Sequence, residues 1–388
     1  MRLMALFLSI CLAGCAQQVP LATANQAKQA NAVVHSQIRA KAPQIPPQIF
    51  ATAAAVPDLA ELSQLTAAQQ QDFLSYFHHP RYADQTPEYR LYSYMQNVLA
   101  VFQFNGSTTS ASEVMRSGSA NCVSLALLTK ALADLAGIDL RFRATYREPV
   151  IDIRGDLLLQ ATHVRSYLNA DPDSNTIRQL YIDYFRGPLS YQGDFLSDSR
   201  FKATVYNNLA AEALLRGEYD QAYALIKTSL QQDDQFVPAI NLMAVLLRRQ
   251  QQPELAQQWY QYGLAVAPQH LALLHNYQVL ATQLGDQPLV QQLEQQLALA
   301  DSDDPFELYI QAVQAEQAGR EALAIGFYQR LQKRVPYLLQ ANQALVRHYL
   351  KNHQYQAARQ LLEQALEYSY EPEKRSLLEH KLAMLRTM

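Results

Sequence analysis

Three cysteines occur in the 388 residues, at positions 11, 15 and 122. Cys11 belongs to an apolar leader and Cys15 stands directly after it, which leaves Cys122 as the thiol of the body that follows. A thiolate is a nucleophile once a base lies within hydrogen-bond reach and a third group orients that base. His163 and Asp183 come next in the order such a set requires. The chemistry open to them is attack of sulfur on a peptide or side-chain amide carbonyl, giving a thioester. Water as acceptor makes the reaction a peptidase or amidase step, and an amine makes it a cross-linking step. The competing reading of Cys122 is a small buried hydrophobe, a common fate of free cysteine. Against that, an unpaired thiol in an exported protein has no disulfide partner and is a liability unless it reacts.

The elements around these residues suit the chemistry. A small-residue loop, Ser117-Gly118-Ser119-Ala120-Asn121, leads into an apolar helix over Cys122 to Ala136. A thiol at a helix N-terminus feels the positive end of the dipole and the orphan N–H groups, which favour the thiolate. From Leu140 the period changes. Leu140 to Tyr146 alternates apolar and polar residues as a half-buried strand does, Leu157 to Leu168 continues as a second strand, and Arg178 to Phe185 makes a third. His163 lies within the second and Asp183 on the third. The turn cluster Asn169 to Asn175 between them makes the connection antiparallel, and Asp171 or Asp173 are alternatives to Asp183. Upstream, helices are expected over Ala60 to Phe77, which starts amphipathically, over Glu88 to Phe104 and, as a short one, over Ser110 to Arg116. The backbone N–H of Cys122 is one candidate oxyanion donor, with Gln96 and Asn97 as side-chain candidates.

Two polar clusters depart from the common metal-site patterns. His78-His79 are adjacent, so their side chains diverge, and no third ligand is evident. Asp171, Asp173 and Asn175 match the first positions of an EF-hand loop, but Thr176 and Ile182 stand where glycine and glutamate are required. The EF-hand pattern fails, and the cluster reads as an acidic hairpin turn, with a looser calcium site as its alternative; Asp301-Ser-Asp-Asp304 reads as a loop between helices.

Asn121-Cys122 with Ser124 and Leu125, then His163-Val164, then Ile182-Asp183 resembles the transglutaminase-like superfamily of papain-like fold. The resemblance covers about residues 85–190. It implies Cys122 as nucleophile, His163 as base and Asp183 as the group that orients the imidazole, on an α+β domain whose helices pack on an antiparallel sheet. Ala120 stands where many relatives carry glycine, and Val164-Arg165 where many carry an aromatic.

After residue 200 a repeat takes over. Ala222, Ala256, Val290, Ala324 and Ala358 are 34 residues apart. Gly217-Glu-Tyr219, Gly319-Arg-Glu321 and His353-Gln-Tyr355 recur as the turn between two helices, and Pro268 and Pro336 share a phase near the end of the unit. This is the tetratricopeptide pattern, an all-α solenoid. Five units span 203–236, 237–270, 271–304, 305–338 and 339–372. The third is the least typical, with Val290 at the small position and Glu294 at the aromatic one. Residues 373–388 form a capping helix.

The N-terminus sets an address. Arg2 precedes an apolar run from Leu3 to Leu12, too short to span a bilayer, which needs about 20 residues. Leu12-Ala13-Gly14-Cys15 resembles a bacterial lipobox, so residues 1–14 read as a lipoprotein signal peptide and Cys15 as the lipidated residue. Ala16 after it favours the outer membrane, periplasmic face. Residues 15–48, rich in Ala, Gln and Pro, form a linker, and a domain occupies 49–200. Hydrophobic residues at 49% supply large cores, and a net charge of −3 with no basic stripe argues against nucleic acid. The expected partner is a protein or peptide held by the concave repeat surface, with the membrane met only through the anchor, and no cofactor is called for. Two functions fit: a membrane-anchored cysteine-dependent acyl-transfer enzyme, with peptidase or amidase favoured, or a non-catalytic envelope adaptor that works through its repeats.

Overall fold

A computed structural model describes residues 41–51, 54–104, 106–154, 157–168, 180–184, 193–298, 305–369 and 372–385. The leader with Cys15, the Asn169 to Asn175 cluster with Asp171 and Asp173, and Asp301 to Asp304 lie outside them. The account below concerns the unit from Ala42 onward.

Capping signals divide the N-terminal helices. Asp58 with Glu61 opens α1 (Leu59–Ser63), and Thr66 with Gln69 opens α2 (Ala67–Phe77), each pair forming a reciprocal capping box. The single helix expected from Ala60 to Phe77 is therefore two, with Gln64 extended between them. Thr86 caps α3 (Pro87–Ala100). The rest of that predicted helix becomes β1 (Gln103–Phe104). Then come α4 (Ala111–Ser117), β2 (Ser119–Ala120) parallel to β1, and α5 (Cys122–Ala136). Gly118 ends α4 and Gly137 ends α5 at φ 63° and 65°, the left-handed conformation a helix stop favours. Helix α5 is apolar on nearly every side and correspondingly buried, with Val123, Leu125, Ala126, Leu127, Leu128 and Leu132 sealed in the core.

Strands β3 (Leu140–Arg154) and β4 (Leu157–Leu168) form a long antiparallel hairpin. Next to β4 lies β5 (Leu180–Ile182), and next to β3 lies β6 (Gly193–Phe195), giving the order β5-β4-β3-β6. The third strand is thus shorter than its sequence pattern, and Asp183 falls one residue beyond its end. The β3–β4 register shifts immediately past the Thr145–His163 pair, so a bulge sits beside His163. Bulges bend a strand and re-aim the side chains next to them.

From Asp198 the chain is helical. Helices α6 (Asp198–Leu215) and α7 (Tyr219–Gln232), α8 (Val237–Arg249) and α9 (Pro253–Val266), α10 (Leu271–Leu284) and α11 (Gln287–Ala298), α12 (Pro305–Gln317) and α13 (Glu321–Arg334), and α14 (Leu339–Lys351) and α15 (Tyr355–Glu367) pack as successive pairs. The small residues Ala222, Ala256, Ala324 and Ala358 are buried at the crossings. Gly263 goes further: a Cβ built there would lie 2.8 Å from Leu273 Cδ2. The backbone carries the repeat more plainly than the side chains do. Gly217, Gln251, Gly285, Gly319 and His353 all have φ between 55° and 76°, and they stand 34 residues apart. After each, the next residue's N–H closes a six-residue turn onto the first helix, as Glu218 does on Ala213 and Asp286 on Ala281. Even the third unit, weakest in sequence, keeps this turn. Helix α16 (Pro372–Leu385) closes the open end with Leu378, Leu382 and Leu385.

The two halves share a core. Phe201 and Val205 of α6 belong to the cluster built on α5 and the sheet, and the Phe142 ring of β3 stacks on Phe201 at 3.8 Å. Residues 49–51 and 54–57 lie along the first repeat. The Phe50 ring stacks on Tyr223, the Ala51 N–H donates to Asp220 and the Tyr206 hydroxyl donates to the Pro57 carbonyl. Farther along, β3 also touches α12.

Candidate functional site

Asn121 makes the N-cap of α5, its Oδ1 accepting from the Ser124 N–H at 3.0 Å, so Cys122 is the first helical residue. A loop clasps this helix start. Asn121 Nδ2 donates to Thr108 Oγ1 at 2.7 Å, the Asn121 N–H donates to the Ser107 carbonyl, and the Thr109 N–H donates to Ser124 Oγ at 2.8 Å. Cys122 is half-buried, packed at the edge of the core yet still open to solvent. It stands at the end of the helix, not in its apolar middle.

His163 is buried, and its Nε2 lies 2.7 Å from Asp183 Oδ1. Cys122 lies near enough to the same imidazole to act on its protonation. The structure therefore brings Cys122, His163 and Asp183 together. Burial by itself would strip the proton from His163, but the hydrogen bonds and charges of Asp183 and Cys122 outweigh it and raise its pKa from 6.5 to about 9.

Two further residues complete the arrangement, and neither was singled out for a role from sequence. Arg165, also buried, donates from Nε to Asp183 Oδ2 at 2.6 Å, so one carboxylate serves both His163 and Arg165. The signal was present: residues two apart on a strand project to one side, and a charged residue on a buried strand needs a partner. The Ser166–Ile182 pairing sets Arg165 level with Asp183. Tyr184, next to Asp183, donates to Thr129 Oγ1 of α5 at 2.7 Å and bonds the Ser166 hydroxyl of β4. Burial pushes its phenol pKa up, so it stays a donor. That bridge ties β4 to the helix bearing Cys122 and fixes the chain at Asp183.

The other candidates fall elsewhere. Gln96 and Asn97 are exposed on α3, and the Asn97 side chain is engaged with the Tyr76 hydroxyl. His79 accepts from the Arg81 N–H and caps a short helical turn at Pro80–Tyr82. Among the described residues, no group of three or more His, Cys, Asp or Glu is placed to hold a metal.

No protein-family model matches the sequence, and no curated protein matches it. Solved structures similar to part of the chain include the Pseudomonas aeruginosa pilF protein, at 19% identity and a TM-score of 0.34 over 49% of this chain and 87% of that one. The Cut9–Hcn1 tetramer of the APC/C is similar at 20% identity and a TM-score of 0.33, over 47% of this chain and 36% of that one. YrrB, a TPR protein with an unusual peptide-binding site, is similar at 14% identity and a TM-score of 0.26, over 46% of this chain and 92% of that one.

Proposed function

We propose that this chain is a protein-interaction scaffold whose tetratricopeptide-type repeats receive a protein or peptide partner. The observation that carries this is the run of five left-handed turn residues in unbroken 34-residue phase, which sets five helix pairs into one continuous surface. The first helices of successive units are joined along one side, as where Asn276 of α10 donates to Asn241 of α8 at 3.0 Å. A photo-crosslinking residue at 241 or 276 should capture a discrete partner in cells. The same residue at 254 or 291, on second helices, should not; equal capture at all four would defeat the reading.

A second reading adds chemistry, and the meeting of Cys122, His163 and Asp183 favours it. In this reading His163 Nε2 stays on Asp183, and Nδ1 exchanges the proton with the Cys122 sulfur. The thiolate adds to an amide carbonyl of the bound partner. The imidazolium returns its proton to the leaving amine, leaving a thioester that water resolves. The Cys122 N–H, which has no intrahelical partner at the helix start, serves in this reading as the oxyanion donor. The transglutaminase-like resemblance supports this reading. Its test is the rate at which iodoacetamide modifies Cys122 near pH 7, followed by peptide mass spectrometry. A rate that His163→Ala leaves unchanged removes the thiol reading and leaves the scaffold alone.

The proposed location is the periplasmic face of the outer membrane, through lipid on Cys15. The Leu12-Ala13-Gly14-Cys15 run supports it, and among the described residues no helix is long and apolar enough to cross a membrane. Cys15→Ser should release the protein into the soluble periplasmic fraction; a variant still sedimenting with membranes would show the anchor to be elsewhere.

A further inference from the structure

The loop that clasps the start of α5 is itself held from the repeats. Glu212 of α6 reaches across from the first repeat, and its Oε1 accepts from the Thr108 N–H at 2.6 Å. Thr108 is buried, and its hydroxyl receives the Asn121 side chain. Asn121 is the N-cap beside Cys122. A continuous hydrogen-bonded chain therefore runs from the repeat array through Glu212, Thr108 and Asn121 to the helix start that presents the thiol. The contact is short, charge-assisted and partly buried, the combination in which a single hydrogen bond holds geometry best.

We propose that Glu212 is a positioning residue for Cys122, so that the first repeat is part of the thiol site's framework. This rests on the thiol reading above. Without Glu212, the Thr108 N–H loses its carboxylate in a buried setting and loop 107–109 is released from α6. The N-cap then loses one of its guides, and the sulfur drifts from the imidazole. Misplacement of a reacting group by about 1 Å costs up to a hundredfold in rate.

The test uses the full chain and the iodoacetamide rate at Cys122, with thermal unfolding measured in parallel. Glu212→Ala should slow modification of Cys122 by roughly tenfold or more while the protein stays folded. Glu212→Gln keeps an oxygen that accepts from Thr108 and should restore most of the rate. A loss of rate from general destabilisation would not be rescued in this selective way. If Glu212→Ala does not fold, Glu212→Asp withdraws the carboxylate by one methylene at constant charge and should be slow for the same reason. Modification of the folded Ala or Asp variant at the wild-type rate, or a Gln variant no faster than Ala, overturns the proposal. The two ideas fail separately. If His163→Ala is slow and Glu212→Ala is not, only the positioning role is lost. If His163→Ala is as fast as the wild type, the thiol reading falls and the positioning role with it.

Discussion

One carboxylate, Asp183, answers two cations, because Oδ1 meets His163 and Oδ2 meets Arg165. Asp183→Asn keeps the shape but takes the charge from both. A buried cation that loses its carboxylate costs about 3–5 kcal/mol, so chemical denaturation should show a loss of that order. A change under about 1 kcal/mol would mean that Arg165 draws little from this pair. The same contact sets a pH dependence. The folded-state pKa of His163 is raised from 6.5 to about 9, so its protonation stabilises the fold fully below pH 6.5. That contribution fades as pH climbs toward 9, because the unfolded chain releases the proton first. Wild-type stability relative to His163→Gln should therefore fall between those values, and in Asp183→Asn the fall should come at lower pH. A flat difference across that range would contradict the assignment of the imidazolium. At this scale residue type and order were enough to single out Cys122, His163 and Asp183 as a group. They hid Arg165 in its role, because the need for a counter-charge appears only once β4 and β5 are in register.

Five turns built alike make the repeat elements comparable with one another. Three of the left-handed residues are glycine, whereas Gln251 and His353 hold φ values of 55° and 57° with a side chain in place. A residue with a Cβ pays about 1 kcal/mol in this conformation. Gln251→Gly should therefore stabilise the protein by up to about 1 kcal/mol, and Gly285→Ala should destabilise it by a similar amount. Thermal melts of the two variants moving the same way would refute the argument. The elements legible in sequence were those with their own local signal: the alternation in Leu140 to Tyr146, the apolar run of α5 and the 34-residue phase. A helix break was missed where the capping box at Thr66 starts a second helix inside the expected Ala60 to Phe77 span. Strand β6 was missed because three residues carry too little periodicity, and what makes Gly193–Phe195 a strand is its pairing with Arg143 to Thr145. The placement of Phe50, Ala51 and Pro57 along α6 and α7 comes from tertiary contacts alone, Phe50 on Tyr223 above all.

At the level of the whole molecule, helix α6 belongs to both halves. It begins the repeats by pairing with α7, whose Ser229 hydroxyl donates to the Ala203 carbonyl of α6. Its N-terminal part completes the sheet's core through Phe201 and Val205, while Glu212 and Tyr206 hold N-terminal segments by hydrogen bonds. A chain whose halves met only through a linker would unfold in two independent steps. One whose halves share a buried helix transmits damage across the junction. Phe201→Ala tests which holds, because it removes a buried ring that stacks on Phe142 and costs about 3–5 kcal/mol by the cavity it leaves. Two probes report the two sides. Trp259, the single tryptophan, is buried in α9 of the second repeat, and Cys122 marks the N-terminal half. In the wild type, Trp259 fluorescence and Cys122 accessibility should change together as denaturant rises. In Phe201→Ala both transitions should move to lower denaturant by the same amount. If Cys122 becomes accessible early while the Trp259 transition stays where it was, the repeats stand on their own, and α6 joins the halves without coupling their stability.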